Sequence, residues 1–246
     1  PLQEMMALAP LPQGPSLTII EETTGSGKTE AALMLAARLI ADQRASGLYF
    51  ALPTMATADA MYRRMATHYR KVFAAGESPS LVLAHGKRHL SDGFAASIAL
   101  GEAVRDGNGA GYEGEGAALC SAWLSDSKRK TFLAHIGVGT IDQALLGVLA
   151  SRYQTLRLWG LADKVLILDE VHCYDAYMSR EIERVLEFHA ALGGSAILLS
   201  ATLPERARGQ LMAAFERGLG APASSDAIFN FGALAWRVAL FAVLPP

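Results

Sequence analysis

A glycine-rich run, Gly25-Ser26-Gly27-Lys28-Thr29, sits between an apolar strand candidate, Leu17-Thr18-Ile19-Ile20, and an Ala/Leu-rich helical run from Leu33 to Ile40. A turn placed there aims several backbone N–H groups at one point, the arrangement that cradles a phosphate. Gly25 and Gly27 let the backbone approach closely, with no Cβ in the way. Lys28 would reach the β- and γ-phosphates of a nucleotide, and the Thr29 hydroxyl would ligate Mg2+. The usual pattern asks for a further Gly at position 22, where this chain has Glu22. The expected ligand is ATP with Mg2+, and Gln3 is a polar group placed to lie near the base.

The second chemical run is Asp169-Glu170-Val171-His172, which follows the apolar strand candidate Lys164–Leu168. Asp169 at a strand tip would hold Mg2+ against the phosphates, and Glu170 would act as general base toward an attacking water. Two readings of His172 stand: a surface or core histidine, or a sensor of the γ-phosphate or of the interdomain contact. Ser200 and Thr202 follow the strand candidate Ser195–Leu199. They either cap the next helix or bond to the Asp169–His172 segment and relay the state of the nucleotide. The cysteines, Cys120 and Cys173, and the histidines show no metal-ligand spacing.

Further strand candidates are Leu48–Leu52, Leu81–Ala84, His135–Thr140 and 236–240. Helices are expected over Met55–Phe73, Ser121–Leu133, Ile141–Ala150, Tyr177–Leu192 and Glu205–Arg217, while 1–16 reads as irregular. Strands alternating with helices make an α/β fold, a mostly parallel sheet with helices on both faces. Ligands of such sheets bind at the carboxyl ends of the strands, where every polar motif here falls. The stretch Gly101–Gly116 carries six glycines among acids and reads as a surface loop.

The chain has 246 residues, 51% hydrophobic and 19% charged, which suits a globular domain. A net charge of −2 argues against a bulk cationic nucleic-acid binder but leaves room for a local basic strip. Arg63, Arg64, Lys128, Arg129 and Lys130 are candidates for that strip, or are solvated helix faces. Two cysteines and the absence of a signal peptide or spanning run point to a cytoplasmic protein with no membrane partner.

Gly25-Ser26-Gly27-Lys28-Thr29, Asp169-Glu170-Val171-His172 and Ser200-Ala201-Thr202 resemble motifs I, II and III of superfamily 2 helicases, in order. Lys28–Ala32, Leu52-Pro53-Thr54, Val138–Leu145 and Asp169–Asp175 resemble, more narrowly, the CRISPR-associated helicase-nucleases of type I interference systems. Glu22 and Cys173 depart from that family, which has a small residue and commonly Ala there. The resemblance implies a RecA-like P-loop domain over 1–217, with 218–246 an exit toward a second RecA-like domain. It implies an ATP-driven 3′-to-5′ motor on single-stranded DNA, recruited to a crRNA-guided surveillance complex. Pro53, Thr54, His85, Gly86, Thr140 and Asp142 would line the DNA track. No His is followed by Asp, so the family's His-Asp nuclease centre is expected in a separate domain. Two other readings stay open: an RNA helicase or remodelling ATPase of the same superfamily, and a nucleotide-gated binding module that never turns over.

Overall fold

The computed structural model describes residues 2–73, 79–85, 130–220 and 237–242. Gly86, His89, Cys120, Lys128, Arg129, Trp236 and the glycine-rich 101–116 stretch lie outside them, as does most of the helix expected over Ser121–Leu133.

Six strands run parallel: β1 (Ser16–Glu21), β2 (Gly47–Leu52), β3 (Leu81–Ala84), β4 (Ile136–Thr140), β5 (Lys164–Leu168) and β6 (Ala196–Ser200). A seventh, β7 (Arg237–Ala242), lies antiparallel to β1 at the sheet edge. The spatial order is β3-β4-β2-β5-β6-β1-β7. Strands β2 to β6 are buried along their whole length, as expected of a sheet covered on both faces.

Helices α1 (Leu2–Leu8), α2 (Lys28–Ala41) and α3 (Met55–Ala66) contribute to one apolar core. The opposite core takes side chains from α4 (Ile141–Leu145), α5 (Gln154–Ala162), α6 (Ala176–Ala191) and α7 (Glu205–Gly218). Among the described residues, no helix is long and apolar enough to cross a membrane.

Three sequence expectations change. The irregular N-terminus contains α1, whose Leu2 and Met6 are buried and whose Met6 carbonyl accepts from Arg38 Nη1 at 2.6 Å. Its helicity comes from docking on α2 rather than from seven residues of propensity. The single helix expected over Met55–Phe73 stops at Ala66, where Thr67 Oγ1 donates to the Arg64 carbonyl at 2.8 Å and a 3-10 turn, Tyr69–Val72, follows. Helix α4 ends at Leu145, shorter than the expected Ile141–Ala150.

His189 of α6 is buried, its Nε2 3.0 Å from the Ser195 carbonyl, and burial pushes the imidazole down to about 4 from 6.5. Between those values the unfolded chain binds a proton that the folded chain refuses. Stability is therefore full above pH 6.5 and is lost as pH falls toward 4, by about 3 kcal/mol over the whole window. Urea midpoints at pH 7 and pH 4.5 measure this, and an unchanged midpoint would contradict it.

Candidate nucleotide-binding and hydrolysis site

Because the six strands are parallel, their carboxyl ends share one edge of the sheet. Strand order then divides that edge. Ends of β1, β6 and β5 carry the phosphate loop, Ser200–Thr202 and Asp169-Glu170, while β2, β4 and β3 carry Pro53-Thr54, Thr140-Asp142 and His85.

On the first half, Gly25 and Gly27 adopt φ of 85° and 86°, left-handed backbone that favours glycine. The turn leads directly into α2, whose N-cap is Gly27. A Cβ at Gly27 would lie 1.9 Å from Gln3 Nε2, so the glycine also makes room for that side chain. Gln3 Nε2 donates to the Gly27 carbonyl at 3.5 Å. Lys28 is 8% exposed, and its Nζ donates to the Glu22 and Thr23 carbonyls at 2.5 and 2.9 Å. Ser26 Oγ is a buried hydroxyl with no protein partner. Glu22 accepts from the Thr23 backbone and hydroxyl, both at 3.0 Å, and is not among the residues lining the cavity below.

A cavity of about 530 Å³ opens between this loop and β5. Gln3, Gly25–Thr29, Asp169 and Glu170 all line it, so the structure brings together the residues that sequence assigned to the nucleotide and to Mg2+. Arg64 lines it as well and pairs with Glu30, although sequence gave no reason to move it from a basic helix flank into the site. The left-handed glycines, the orphaned Ser26 hydroxyl and the buried ammonium suit a polyphosphate, and Thr29 with Asp169 offers hard oxygen donors that suit Mg2+.

Burial and the adjoining Glu170 carboxylate push the Asp169 carboxyl up, against the opposing pull of its bond from the Glu170 N–H and of Lys28 and His172. Asp169 Oδ1 accepts from the Glu170 N–H at 2.9 Å. Glu170 itself sits at φ 51°, a left-handed conformation costing on the order of 1–3 kcal/mol in a non-glycine residue. That backbone turns the chain off the sheet, and Cys173 N–H closes the following 3-10 turn on the Glu170 carbonyl at 2.8 Å. Tyr174 donates its hydroxyl to the Asp169 carbonyl at 3.1 Å, and Asp175 caps α6 through the Met178 N–H. The Tyr-Asp tail of the motif is thus explained by anchoring.

His172 joins the second and third motifs. Its Nε2 lies 3.3 Å from Glu170 Oε2, and its Nδ1 lies 3.2 Å from Ser200 Oγ and 3.4 Å from Ala201 N. Ser200 Oγ donates on to the Thr202 carbonyl at 2.9 Å. The bonding that favours a relay is present, with Thr202 contributing its backbone while its side chain is exposed. Sequence missed Glu21, whose carboxylate accepts from the Leu203 N–H at 3.2 Å and pairs with Arg208 of α7. That pair ties the strand before the phosphate loop to the strand end after Ser200; no local pattern signals it.

The other half of the edge is more mixed. His85 is 2% exposed, with Nε2 3.1 Å from Asp59 Oδ1 of α3, and Thr140 is buried. Thr54 is exposed and engaged in a reciprocal cap of α3 with Thr57. Asp142 is exposed, and a carboxylate repels a nucleic-acid phosphate. Pro53 is half-buried beside Thr54.

No protein-family model matches the chain. The CRISPR-associated endonuclease/helicase Cas3 of Escherichia coli is 44% identical over 214 residues, covering 86% of this chain and 23% of that protein. The crystal structure of T. fusca Cas3 with ADP superposes with a TM-score of 0.76 at 35% identity, covering 92% of this chain and 24% of the other. A chain of a CRISPR RNA-guided surveillance complex in a pre-nicking state superposes at 0.59 with 31% identity, covering 87% of this chain and 19% of that one. The chain spans less than a quarter of the length of the curated relatives it matches. By sequence and by fold it is homologous to one segment of the CRISPR-associated helicase-nucleases.

Proposed function

We propose that this chain is the ATP-binding motor domain, the first RecA-like domain, of a single-stranded-DNA-stimulated 3′-to-5′ helicase. In this reading the whole enzyme unwinds target DNA for degradation in CRISPR antiviral defence. The observation that carries the proposal is the convergence of Lys28, Thr29, Asp169 and Glu170 on one cavity from separate strand ends.

Lys28 exchanges its two carbonyl partners for the β- and γ-phosphate oxygens, while the N–H groups of 25–29 close around the phosphates. Thr29 and Asp169 would hold Mg2+, which neutralises charge on the phosphates when bound. Glu170 takes the proton of the attacking water. His172 reports the state of that carboxylate to Ser200 and Thr202. Gln3 lies at the mouth of the loop, on the side proposed for the base.

Residues 1–217 form the motor domain, and 218–246 lead toward a second RecA-like domain that completes the ATP site. A separate His-Asp domain supplies the nuclease, and a crRNA-guided surveillance complex recruits the enzyme in the cytoplasm. Similarity to a chain of such a complex supports the partner. Of the track residues, Pro53 and Thr54 are the described positions best placed to meet a DNA backbone; Gly86 is proposed beside them. Contacts of that kind grip phosphates and carry little sequence preference.

The test is Mg2+-ATP binding and turnover by the 246-residue chain, with single-stranded DNA, single-stranded RNA or neither. The expected result is binding with little turnover, which rises on addition of the second RecA-like domain and is stimulated by DNA. Fast turnover by the chain alone would overturn the half-motor reading, and stimulation by RNA instead of DNA would favour an RNA helicase.

A further inference from the structure

Cys173 takes no part in the nucleotide chemistry above, yet the fold places its thiol against it. The 3-10 turn Val171–Cys173, closed by the Cys173 N–H on the Glu170 carbonyl, folds residue 173 back over residue 170. One ligand atom each of Glu170, His172 and Cys173 then lies within 4.8 Å of the others. Sequence spacing shows none of this, because adjacent His and Cys ordinarily point apart.

Carboxylate oxygen, imidazole nitrogen and thiolate sulfur form a donor set that suits Zn2+ and does not suit Mg2+. Tetrahedral bonds of about 2.0–2.3 Å separate the ligand atoms by about 3.3–3.8 Å. Glu170 Oε2 and His172 Nε2 are already 3.3 Å apart, and Cys173 is exposed, with a side chain that can rotate toward them.

The second observation is the support behind the histidine. Ser200 Oγ gives its proton to the Thr202 carbonyl, so its lone pairs face His172 Nδ1. A proton on Nδ1 then leaves Nε2 bare, as ligation requires, with the other ring nitrogen held by an outer partner. The Ala201 N–H serves the opposite tautomer, in which Nε2–H donates to Glu170. The ring has a partner in either state; ligation through Nε2 takes the acceptor away from the Ala201 N–H alone, whose bond to the ring is exposed and can pass to water.

We propose that Glu170, His172 and Cys173 form a site for a thiophilic divalent cation of the Zn2+ class, with a fourth position open to water. Binding releases the thiol proton to solvent and leaves the phosphate loop free. It also occupies the Glu170 carboxylate, so the ion inhibits turnover without displacing ATP; this consequence, unlike the site, rests on Glu170 as general base.

The experiment is titration of the chain with Co2+ alone, read by thiolate-to-Co2+ absorption, followed by competition with Zn2+. Saturable binding with that absorption is expected. Cys173→Ala should abolish the absorption and weaken Zn2+ at least about tenfold, and Ser200→Ala should weaken Zn2+ about tenfold. Cys120→Ala should change neither, and Mg2+-ATP binding by Cys173→Ala reports that the fold is intact. Absorption that survives in Cys173→Ala, or an absence of saturable binding, would overturn the site. Zn2+ should also inhibit ATP turnover by the DNA-stimulated enzyme and spare its Cys173→Ala form. Stoichiometric Zn2+ binding without inhibition would keep the site and remove Glu170 from its role as base.

Discussion

Lys28→Ala is expected to weaken Mg2+-ATP binding about a hundredfold or more. Lys28 is 8% exposed, opens α2 and lines the cavity. A hydrogen bond to a charged group contributes about 1.5–3 kcal/mol, and Lys28 would make two with the phosphates. Loss of both is about 3–6 kcal/mol, and each 1.4 kcal/mol is a factor of ten in affinity. Gly25, Gly27 and α2 keep their backbone in the variant, so its thermal unfolding should stay close to the parent's. Calorimetric titration with Mg2+-ATP measures the effect, and an affinity within threefold of the parent would contradict the assignment.

Glu170→Gln should separate binding from chemistry. The amide matches the carboxylate in shape, so the left-handed turn at 170 and the contact with His172 can persist. Glu170 is one of the charges that push the Asp169 carboxyl up, so removing it favours the ionised Asp169 that Mg2+ requires. Mg2+-ATP affinity should therefore hold or rise. Turnover should fall about 10²–10⁴-fold, the usual contribution of a positioned general base. Rates measured with the proposed second RecA-like domain and single-stranded DNA present decide this; a Glu170→Gln form turning over at the parental rate would sink the assignment.

The two effects come from different levels of the structure. Lys28 acts from the first residue of α2, beside a turn whose conformation depends on the left-handed Gly25 and Gly27. Glu170 acts from a strained residue that the sheet, the Tyr174–Asp169 bond and the Asp175 cap hold in place together.

By itself the sequence determined the α/β class, the parallel strands and the nucleotide motifs. Each depends on local signals: apolar runs of strand length, glycines before Lys28-Thr29, and acids at the end of β5. Residue contacts a few positions apart decide such features, so they can be read in order along the chain. Only the tertiary structure decided the order β3-β4-β2-β5-β6-β1-β7, which puts β6 between β1 and β5. That order sets Ser200 between the phosphate loop and Asp169-Glu170 and lets His172 reach it. It also brought Arg64 into the cavity, joined Glu21 to Arg208 across the segment after β6, and buried His85 against Asp59. These partners are 26 to 187 residues apart in sequence. Side chains that distant meet because parallel strands need crossovers that carry neighbours in space far apart along the chain, and no local pattern records which strand lies next to which.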